Sequence, residues 1–305
     1  MGNNSEAAST TVRLRALLPS LAPAEQRVAR RVLEAPGAVA AATISRLAAD
    51  CDTSETTVVR FCRAVGFTGY PALRLTLATE LGRAERAGGL ARSVSSDIGP
   101  GDDLDQVVEK IAFADARAVE ETAQQLDIDA LHQVVDALVA ARRIDIYGVG
   151  ANAFVGLDFQ QKLHRIGRVA FAWGDPHVAL TSAALLGPDD VAVGISHSGA
   201  TQDTIDALAQ ARRNKVTTVA VTNFPRSPLA SIADHVLTTA ARETTFRSGA
   251  TASRLAQLTV IDCVFVGVAQ RTYATTQHAL EVTHDAVRSR RLGPSPRFDG
   301  QEADQ

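Results

Sequence analysis

The sequence predicts two unlike parts: an all-α first domain, and a doubly wound α/β second domain with a five-stranded parallel sheet flanked by helices. Three observations carry that prediction. Over residues 12–90 every periodic segment has helical spacing and none alternates like a strand. Beyond residue 143, short apolar runs alternate with helical stretches, the signature of βαβ units. Between the two lie Gly88-Gly89 and a stretch over 93–103 rich in Ser, Gly, Asp and Pro, which reads as a hinge. The 305 residues suit about two domains, and the 46% hydrophobic content is ample for two cores. The expected boundaries are a disordered N-terminus over 1–11, a helix-turn-helix domain over 12–88, a linker over 89–105, an α/β domain with leading helices over 106–270, and a C-terminal helix and tail over 271–305. The last stretch, 292–305, carries Pro, Gly and Asp and is expected to be disordered.

In the first domain Leu14, Leu17, Leu18 and Leu21 come first. Pro23 then opens a helix with Val28, Val32 and Leu33, expected to stop near Pro36-Gly37. Thr43 begins a short helix with Ile44, Leu47 and Ala48. Cys51-Asp52-Thr53 follow, and Ser54 is placed to cap a helix over 55–65, closed by Gly66. Two short helices joined by a tight turn make a helix-turn-helix. At about 100° per residue, Val58, Phe61, Cys62 and Val65 share the inner face. Thr56, Arg60 and Arg63 point the other way, with Glu55 and Thr57 beside them near the helix start. A recognition helix presents that end to base edges in the major groove. Arg60 has the fork for a bidentate guanine contact. Thr56 and Thr57 suit a thymine methyl or a phosphate, and Arg46, Arg63 and Arg74 suit phosphates, which set affinity but not sequence. The candidate DNA-binding set is Arg46, Ser54, Glu55, Thr56, Thr57, Arg60 and Arg63. A solvated charged face is the plain alternative; the cap, the turn and Gly66-Phe67-Thr68-Gly69-Tyr70 closing the unit favour DNA.

In the second domain, leading helices are expected over 104–126 and 129–141. Strands are expected over 144–147, 169–173, 191–195, 216–221 and 234–237. Helices are expected over 153–166, 177–186, 202–213, 248–270 and 272–291. Ligands bind outside the C-terminal strand ends of such sheets. Two turns sit there, Gly148-Val149-Gly150-Ala151-Asn152 and Ser196-His197-Ser198-Gly199-Ala200-Thr201. The second supplies three hydroxyls, a glycine permitting close approach, and the free N–H groups of a helix start. Those groups suit a phosphate dianion, although Ser and Thr also cap helices routinely. The first turn has Ala153 where a dinucleotide fingerprint has its third glycine and no acidic residue roughly 20 positions on, so dinucleotide binding is rejected. No cofactor is expected. His197 lies within the phosphate turn, and Glu243, near a strand end, is placed either to face a sugar hydroxyl or to serve as a surface charge. His177, near a strand end, is a lesser candidate. No Ser/His/Asp order or carboxylate pair stands out as a catalytic set.

Charge is uneven. Residues 1–92 carry 12 Lys and Arg against 8 Asp and Glu, while the remainder carries 19 against 26. A mildly basic first part and an acidic second part imply different partners. Cys51, Cys62 and Cys263 cannot all pair with one another, and each sits in a helical or apolar pattern, as in a reduced cytoplasmic protein. No Cys/His cluster has zinc spacing. No apolar run approaches the roughly 20 residues that span a bilayer, and the polar start lacks a signal core. Neither a membrane nor secretion is expected.

Several strings together resemble the RpiR/MurR-type bacterial regulators, which join an N-terminal helix-turn-helix domain to a SIS (sugar isomerase) domain. In the first half they are Thr43-Ile44-Ser45-Arg46-Leu47-Ala48 and the run from Ser54 to Tyr70. In the second they are Tyr147-Gly148-Val149-Gly150-Ala151, the phosphate turn, Ser227-Pro228-Leu229-Ala230 with Ala233-Asp234, and Arg254-Leu255-Ala256-Gln257-Leu258 with Ile261-Asp262. The resemblance covers about residues 12–270. It implies a phosphosugar effector and no catalysis. Ser196, Ser198 and Thr201 match the family's phosphate-holding residues, and Gly150 and Ala151 its first ligand loop. The chain departs from the pattern at Asn152, where the family usually has serine, and at Ala200, where it usually has glutamate. Loss of that carboxylate disfavours sugar isomerisation, which needs a positioned base.

The expected phosphosugar set is Gly150, Ala151, Asn152, Ser196, His197, Ser198, Gly199, Thr201 and Glu243. The expected protein is a cytoplasmic transcriptional regulator, not an enzyme, binding operator DNA and a phosphorylated sugar effector as a homodimer or homotetramer. The rival is a phosphosugar isomerase or lyase with an accessory helical domain, using Glu243 or His197 as acid/base. A third option is an adaptor that binds no DNA.

Overall fold

The computed structural model describes residues 9–86, 98–244, 246–247 and 252–288. The expectations for residues 1–8, for most of the linker, for the tail over 292–305 and for the start of the helix placed at Ser248 lie outside the described residues.

The first unit is helical throughout: α1 (Thr10–Leu17), α2 (Pro23–Glu34), α3 (Pro36–Ala41), α4 (Ile44–Asp50), α5 (Glu55–Ala64) and α6 (Tyr70–Arg86). Helix α1 starts inside the stretch expected to be disordered over 1–11. Thr10 is buried, and its N–H and hydroxyl donate to Glu80 at 2.8 and 2.7 Å. Helix α2 stops at Glu34, beside the expected stop near Pro36-Gly37, and Pro36 then takes the first position of α3, a short helix not expected from the sequence, where its missing N–H costs nothing. Leu14, Val28, Val32, Leu47, Val58, Phe61, Cys62, Leu73 and Leu77 form one core. Two ends define the helix-turn-helix. Helix α4 closes with Asp52 at φ +46 and Thr53 N–H donating to the Ala48 carbonyl at 2.9 Å. Helix α5 closes with Gly66 at φ +88, Gly66 N–H on Arg63 and Phe67 N–H on Cys62, a full Schellman motif. From α2, Arg27 donates to the carbonyls of Cys51 and Asp52 at 2.9 and 2.6 Å, which pins the tight turn.

The second unit runs α7 (Leu104–Gln125), α8 (Ile128–Ala140), β1 (Arg143–Tyr147), α9 (Ala151–Arg165), β2 (Ala170–Trp173), α10 (Pro176–Ala183), β3 (Asp190–Ile195), α11 (Gln202–Arg213), β4 (Thr217–Thr222), α12 (Pro228–Ser231), β5 (His235–Thr238), α13 (Arg254–Arg271) and α14 (Tyr273–Arg288). All five strands are parallel, in the order β2-β1-β3-β4-β5. The central strands β3 and β4 are buried on both faces, so their sequences are mostly apolar rather than alternating, while the edge strands β2 and β5 are only partly buried. Ile144, Ile146, Val191, Val193 and Ile195 pack with α8, α9 and α13. Ala192 and Ala220 pack on the other face with α10 and α11. On that second face Asp145 is fully buried. It accepts from Arg143 Nε at 2.7 Å, Trp173 Nε1 at 2.8 Å and Ser182 Oγ at 2.5 Å, tying β1, β2 and α10 together.

The strand order reverses between β1 and β3. In a doubly wound sheet that switch point opens a crevice beyond the C-terminal strand ends. The turns leaving β1 and β3 are the two Gly- and Ser-bearing turns of the sequence.

Candidate functional site

The two turns converge on a cavity of about 330 Å³ lined by Val149, Gly150, Ala151, Asn152, Ser196, His197, Ser198, Thr201 and Glu243. Helices α9 and α11 both begin at it. Gly150 and Thr201 are their N-cap residues, and neither gives a side-chain cap hydrogen bond. The first-turn N–H groups and the positive dipole ends therefore point at the cavity without a capping oxygen, a favourable arrangement for an anion. Instead of capping, Thr201 Oγ1 is hydrogen-bonded to Ser196 Oγ at 2.9 Å. Ser196 also accepts from Gly199 N–H at 3.1 Å, and Ser198 Oγ accepts from Ala200 N–H at 3.2 Å. Ser196 is buried and Ser198 exposed, so the hydroxyls form a rim above a fixed base.

Gly199 is the one expected ligand residue that does not line the cavity. Its φ is +61, and a Cβ there would sit 2.0 Å from Ser227 Oγ and 2.4 Å from Ser227 Cβ. The close approach it permits is to the α12 N-cap rather than to a ligand. Its carbonyl accepts from Leu229 N–H at 2.9 Å, which locks the turn onto α12.

The opposite wall is set from α13. Gln257 Nε2 donates to Asn152 Oδ1 at 2.8 Å, and Ser253 N–H donates to Glu243 at 2.9 Å. His197 packs edge-on to Phe224, with ring centroids 5.6 Å apart, and its Nδ1 is buried without a partner among the described residues. Burial pushes its pKa below the ordinary value, against an upward pull from the nearby Glu243 carboxylate. The imidazole is therefore neutral at pH 7. His177 is exposed on α10 and lines none of this cavity. Val149, which lines the cavity, and Gln257 and Ser253, which hold its wall, are absent from the sequence-based set. Gln257 alone left a signal, as a glutamine inside an otherwise apolar helix. Among the described residues no three His, Cys, Asp or Glu side chains gather as a metal site would require.

On the helical unit, Ser54 caps α5 by accepting from Thr57 N–H at 3.2 Å. Val58, Phe61, Cys62 and Val65 are buried, and Glu55, Thr56, Arg60 and Arg63 are exposed. Several charges on this face already have partners. Ser45 Oγ donates to Glu55 at 2.5 Å, and Arg46 pairs with Asp50 at 3.0 Å. Arg60, 62% exposed, donates to Glu25 at 3.1 Å. Its guanidinium leans on α2 and must exchange that carboxylate to reach a base. Arg74 departs from the expected phosphate role, since its Nε donates to the Ala40 carbonyl at 2.9 Å and so joins α6 to α3.

Comparison with known proteins fits both halves. A helix-turn-helix model of the rpiR family matches residues 10–84, and a SIS domain model matches residues 137–267. An HTH-type transcriptional regulator of Caldanaerobacter subterraneus subsp. tengcongensis is 38% identical over 279 residues, 92% of this chain and 97% of that one. The HTH-type transcriptional regulator RpiR of Escherichia coli K12 is 30% identical over 246 residues, 81% of each chain. The solved structure of the Vibrio vulnificus NanR protein complexed with ManNAc-6P is similar at a TM-score of 0.59 and 29% identity, over 93% of this chain and 100% of that one. The two sequence relatives are HTH-type transcriptional regulators, which supports the regulator reading over the isomerase or lyase. The chain belongs to the rpiR family of helix-turn-helix transcriptional regulators, with a SIS domain as its second half.

Proposed function

We propose that α5, seated by α4, enters the major groove of operator DNA, and that a phosphorylated sugar bound between the β1–α9 and β3–α11 turns alters that binding. The observation that carries this reading is the convergence of two helix starts without side-chain caps and three hydroxyls on one cavity. Ser196, Ser198 and Thr201 hold the phosphate, with Gly150 and Ala151 supplying backbone N–H groups. Asn152, His197 and Glu243 face the sugar, and Gly199 shapes the turn from beneath. A volume of about 330 Å³ suits a hexose phosphate. The ManNAc-6P bound by the similar Vibrio vulnificus NanR protein supports an amino-sugar or hexose 6-phosphate as the class. On the DNA side Arg60, Thr56 and Thr57 read bases, and Arg46 and Arg63 hold phosphates. Glu55 and Ser54 fix the helix start. The helical module spans 12–88 and the sugar module 106–270, joined by 89–105 and followed by 271–305. Two half-sites one DNA turn apart, about 34 Å, require a homodimer or homotetramer. We place the protein in the cytoplasm, where DNA and sugar phosphates meet; among the described residues no helix is long and apolar enough to cross a membrane.

The test is a thermal-shift titration with hexose and N-acetylhexosamine 6-phosphates, on wild type and Ser198→Ala. A ligand that binds only the folded state raises the melting temperature. The wild type is expected to respond and Ser198→Ala to lose the response while still retarding operator DNA. An equal response in both proteins would refute the phosphate assignment.

A further inference from the structure

The effector cavity and the helical unit are joined inside one chain by a path of hydrogen bonds and an ion pair, with two steps between adjacent residues carried by the backbone. At the cavity, the His197 carbonyl accepts from Asn223 N–H at 3.0 Å and from Thr222 Oγ1 at 3.2 Å. Asn223 is buried, and its Oδ1 accepts from Ala241 N–H at 2.7 Å and Thr239 Oγ1 at 3.1 Å. The next residue back, Ala240, donates its N–H to Thr122 Oγ1 on α7 at 3.0 Å. Beside Thr122, Glu121 pairs at 3.5 Å with Arg15 of α1, in the helical unit. Glu243, the sugar-facing carboxylate, lies two residues beyond Ala241 on the same connector.

The two units are closely packed where this path crosses, with Val12 and Ala16 buried against the 239–241 segment, and loose immediately beside it. A second cavity of about 560 Å³ lies there, with Leu18, Leu33 and Glu34 on one side and His197, Phe224 and Glu243 on the other. His197 and Glu243 thus form a wall shared by the effector cavity and the inter-unit cavity. A group that moves either residue changes both spaces. A seat loosely packed on one side and held by a half-exposed ion pair is the kind of element that has two arrangements.

We propose that Asn223 is the positioning residue through which occupancy of the effector cavity shifts the seating of the helical unit, by way of the 239–243 connector, Thr122, and the Glu121–Arg15 pair. This rests on the phosphosugar reading of the cavity. It adds that the signal runs within one chain and identifies the contacts that carry it. Asn223 touches neither ligand nor DNA in this scheme. Its side-chain oxygen holds the connector and its N–H holds the phosphate turn, so the two move together.

The experiment is hydrogen–deuterium exchange of the full chain with and without N-acetylmannosamine 6-phosphate or glucose 6-phosphate. It reads the 196–201 turn and the α1 amides separately, in wild type, Asn223→Ala, Asn223→Asp and Arg15→Gln. In wild type either sugar phosphate is expected to slow exchange in the turn and to change exchange in α1 by roughly fivefold or more, the lower range of allosteric couplings. Asn223→Ala and Arg15→Gln are expected to keep turn protection and lose the α1 change. Asn223→Asp, which keeps the acceptor for Ala241 N–H, is expected to restore it. A merely structural asparagine would alter α1 exchange equally with and without ligand. Turn protection without any α1 change in wild type overturns the proposal, as does an α1 change that survives Arg15→Gln. Should Asn223→Ala fail to fold, Arg15→Gln alone decides. No turn protection by any sugar phosphate in wild type would instead refute the phosphosugar reading, and this proposal with it.

Discussion

Replacing Gly199 by alanine tests how the phosphate turn is built. Two costs follow from the geometry. The φ of +61 costs a residue with a Cβ about 1 kcal/mol. The added carbon would also lie 2.0 Å from Ser227 Oγ and 2.4 Å from Ser227 Cβ, inside any van der Waals contact, so Ser227 must move. Moving it disturbs the Ser227 cap on Ala230 N–H at 3.3 Å and the Leu229 N–H bond to Gly199 at 2.9 Å, together about 2 kcal/mol. Gly199→Ala is thus expected to lose about 3 kcal/mol and most of the phosphate affinity. The diagnostic measurement is a double-mutant cycle with Ser227→Gly. At an N-cap, serine to glycine costs only a few tenths of a kcal/mol, and it removes the two nearest clashing atoms, leaving Thr222 Oγ1 at 2.8 Å. In that background Gly199→Ala is expected to cost the φ contribution and the smaller displacement of the Thr222 hydroxyl, about 1–2 kcal/mol in all, giving a coupling of about 1–2 kcal/mol by urea denaturation. Additive costs would refute the steric account, and wild-type stability in Gly199→Ala would refute both parts.

Asp145→Ala leaves Arg143 facing a buried site without its carboxylate and frees the donors of Trp173 and Ser182; thermal denaturation is expected to show a loss of about 3 kcal/mol. Arg60→Ala removes a largely exposed guanidinium from the buried Glu25, which keeps the Ala22 N–H as a partner, so stability is expected to fall by about 1 kcal/mol. Operator affinity in a gel-shift titration is expected to fall by about 1–3 kcal/mol and base preference to relax; unchanged affinity would refute the recognition-helix assignment. His197 gives a pH dependence of definite sign. Its folded pKa lies below 6.5, so between that value and 6.5 the unfolded chain binds more protons. Stability is expected to fall as pH drops below 6.5 and to be unaffected by this group above it. His197→Gln is expected to remove that slope in urea melts taken from pH 7.5 down to 5.

The parts of the molecule legible in the sequence are those fixed by short-range chemistry. Each strand showed as a short, largely apolar run, with ends correct to within a residue or so, because burial leaves few polar positions inside a strand; Asp145 in β1 is an exception, held by Arg143, Trp173 and Ser182. The helix-turn-helix showed because Thr43, Ser54 and Gly66 cap or close helices locally. Pro36 marked the end of α2 correctly, but proline also starts helices, and nothing nearby in sequence announced the six-residue α3 that it opens. What stayed hidden depends on partners far along the chain. Asn152 is oriented by Gln257, and Arg60 meets Glu25 from another helix. Arg74 reads as a surface cation until α3 offers it the Ala40 carbonyl. Gly199 announced a close approach, but only the fold shows that Ser227 is what approaches.

The same geometry explains how a fold that carries enzymes elsewhere can serve a sensor. Three parts of the effector wall are pinned: Ser196 to Thr201, Gly199 against Ser227, and Asn152 by Gln257. Each tie joins the wall to a helix or strand end, so an anion finds its donors already in place and little reorganises when it binds. Glu243 belongs to the connector between β5 and α13, outside any regular element. A sugar that engages it acts on the wall's least constrained part, and that part reaches back through Ala241 and Ala240 to Asn223 and Thr122. On the proposed assignment, phosphate recognition would draw affinity from rigid elements, while sugar recognition would fall on the segment that also touches the helical unit. A transcriptional sensor needs that division of labour, because only interactions that differ between its two arrangements can shift the balance between them.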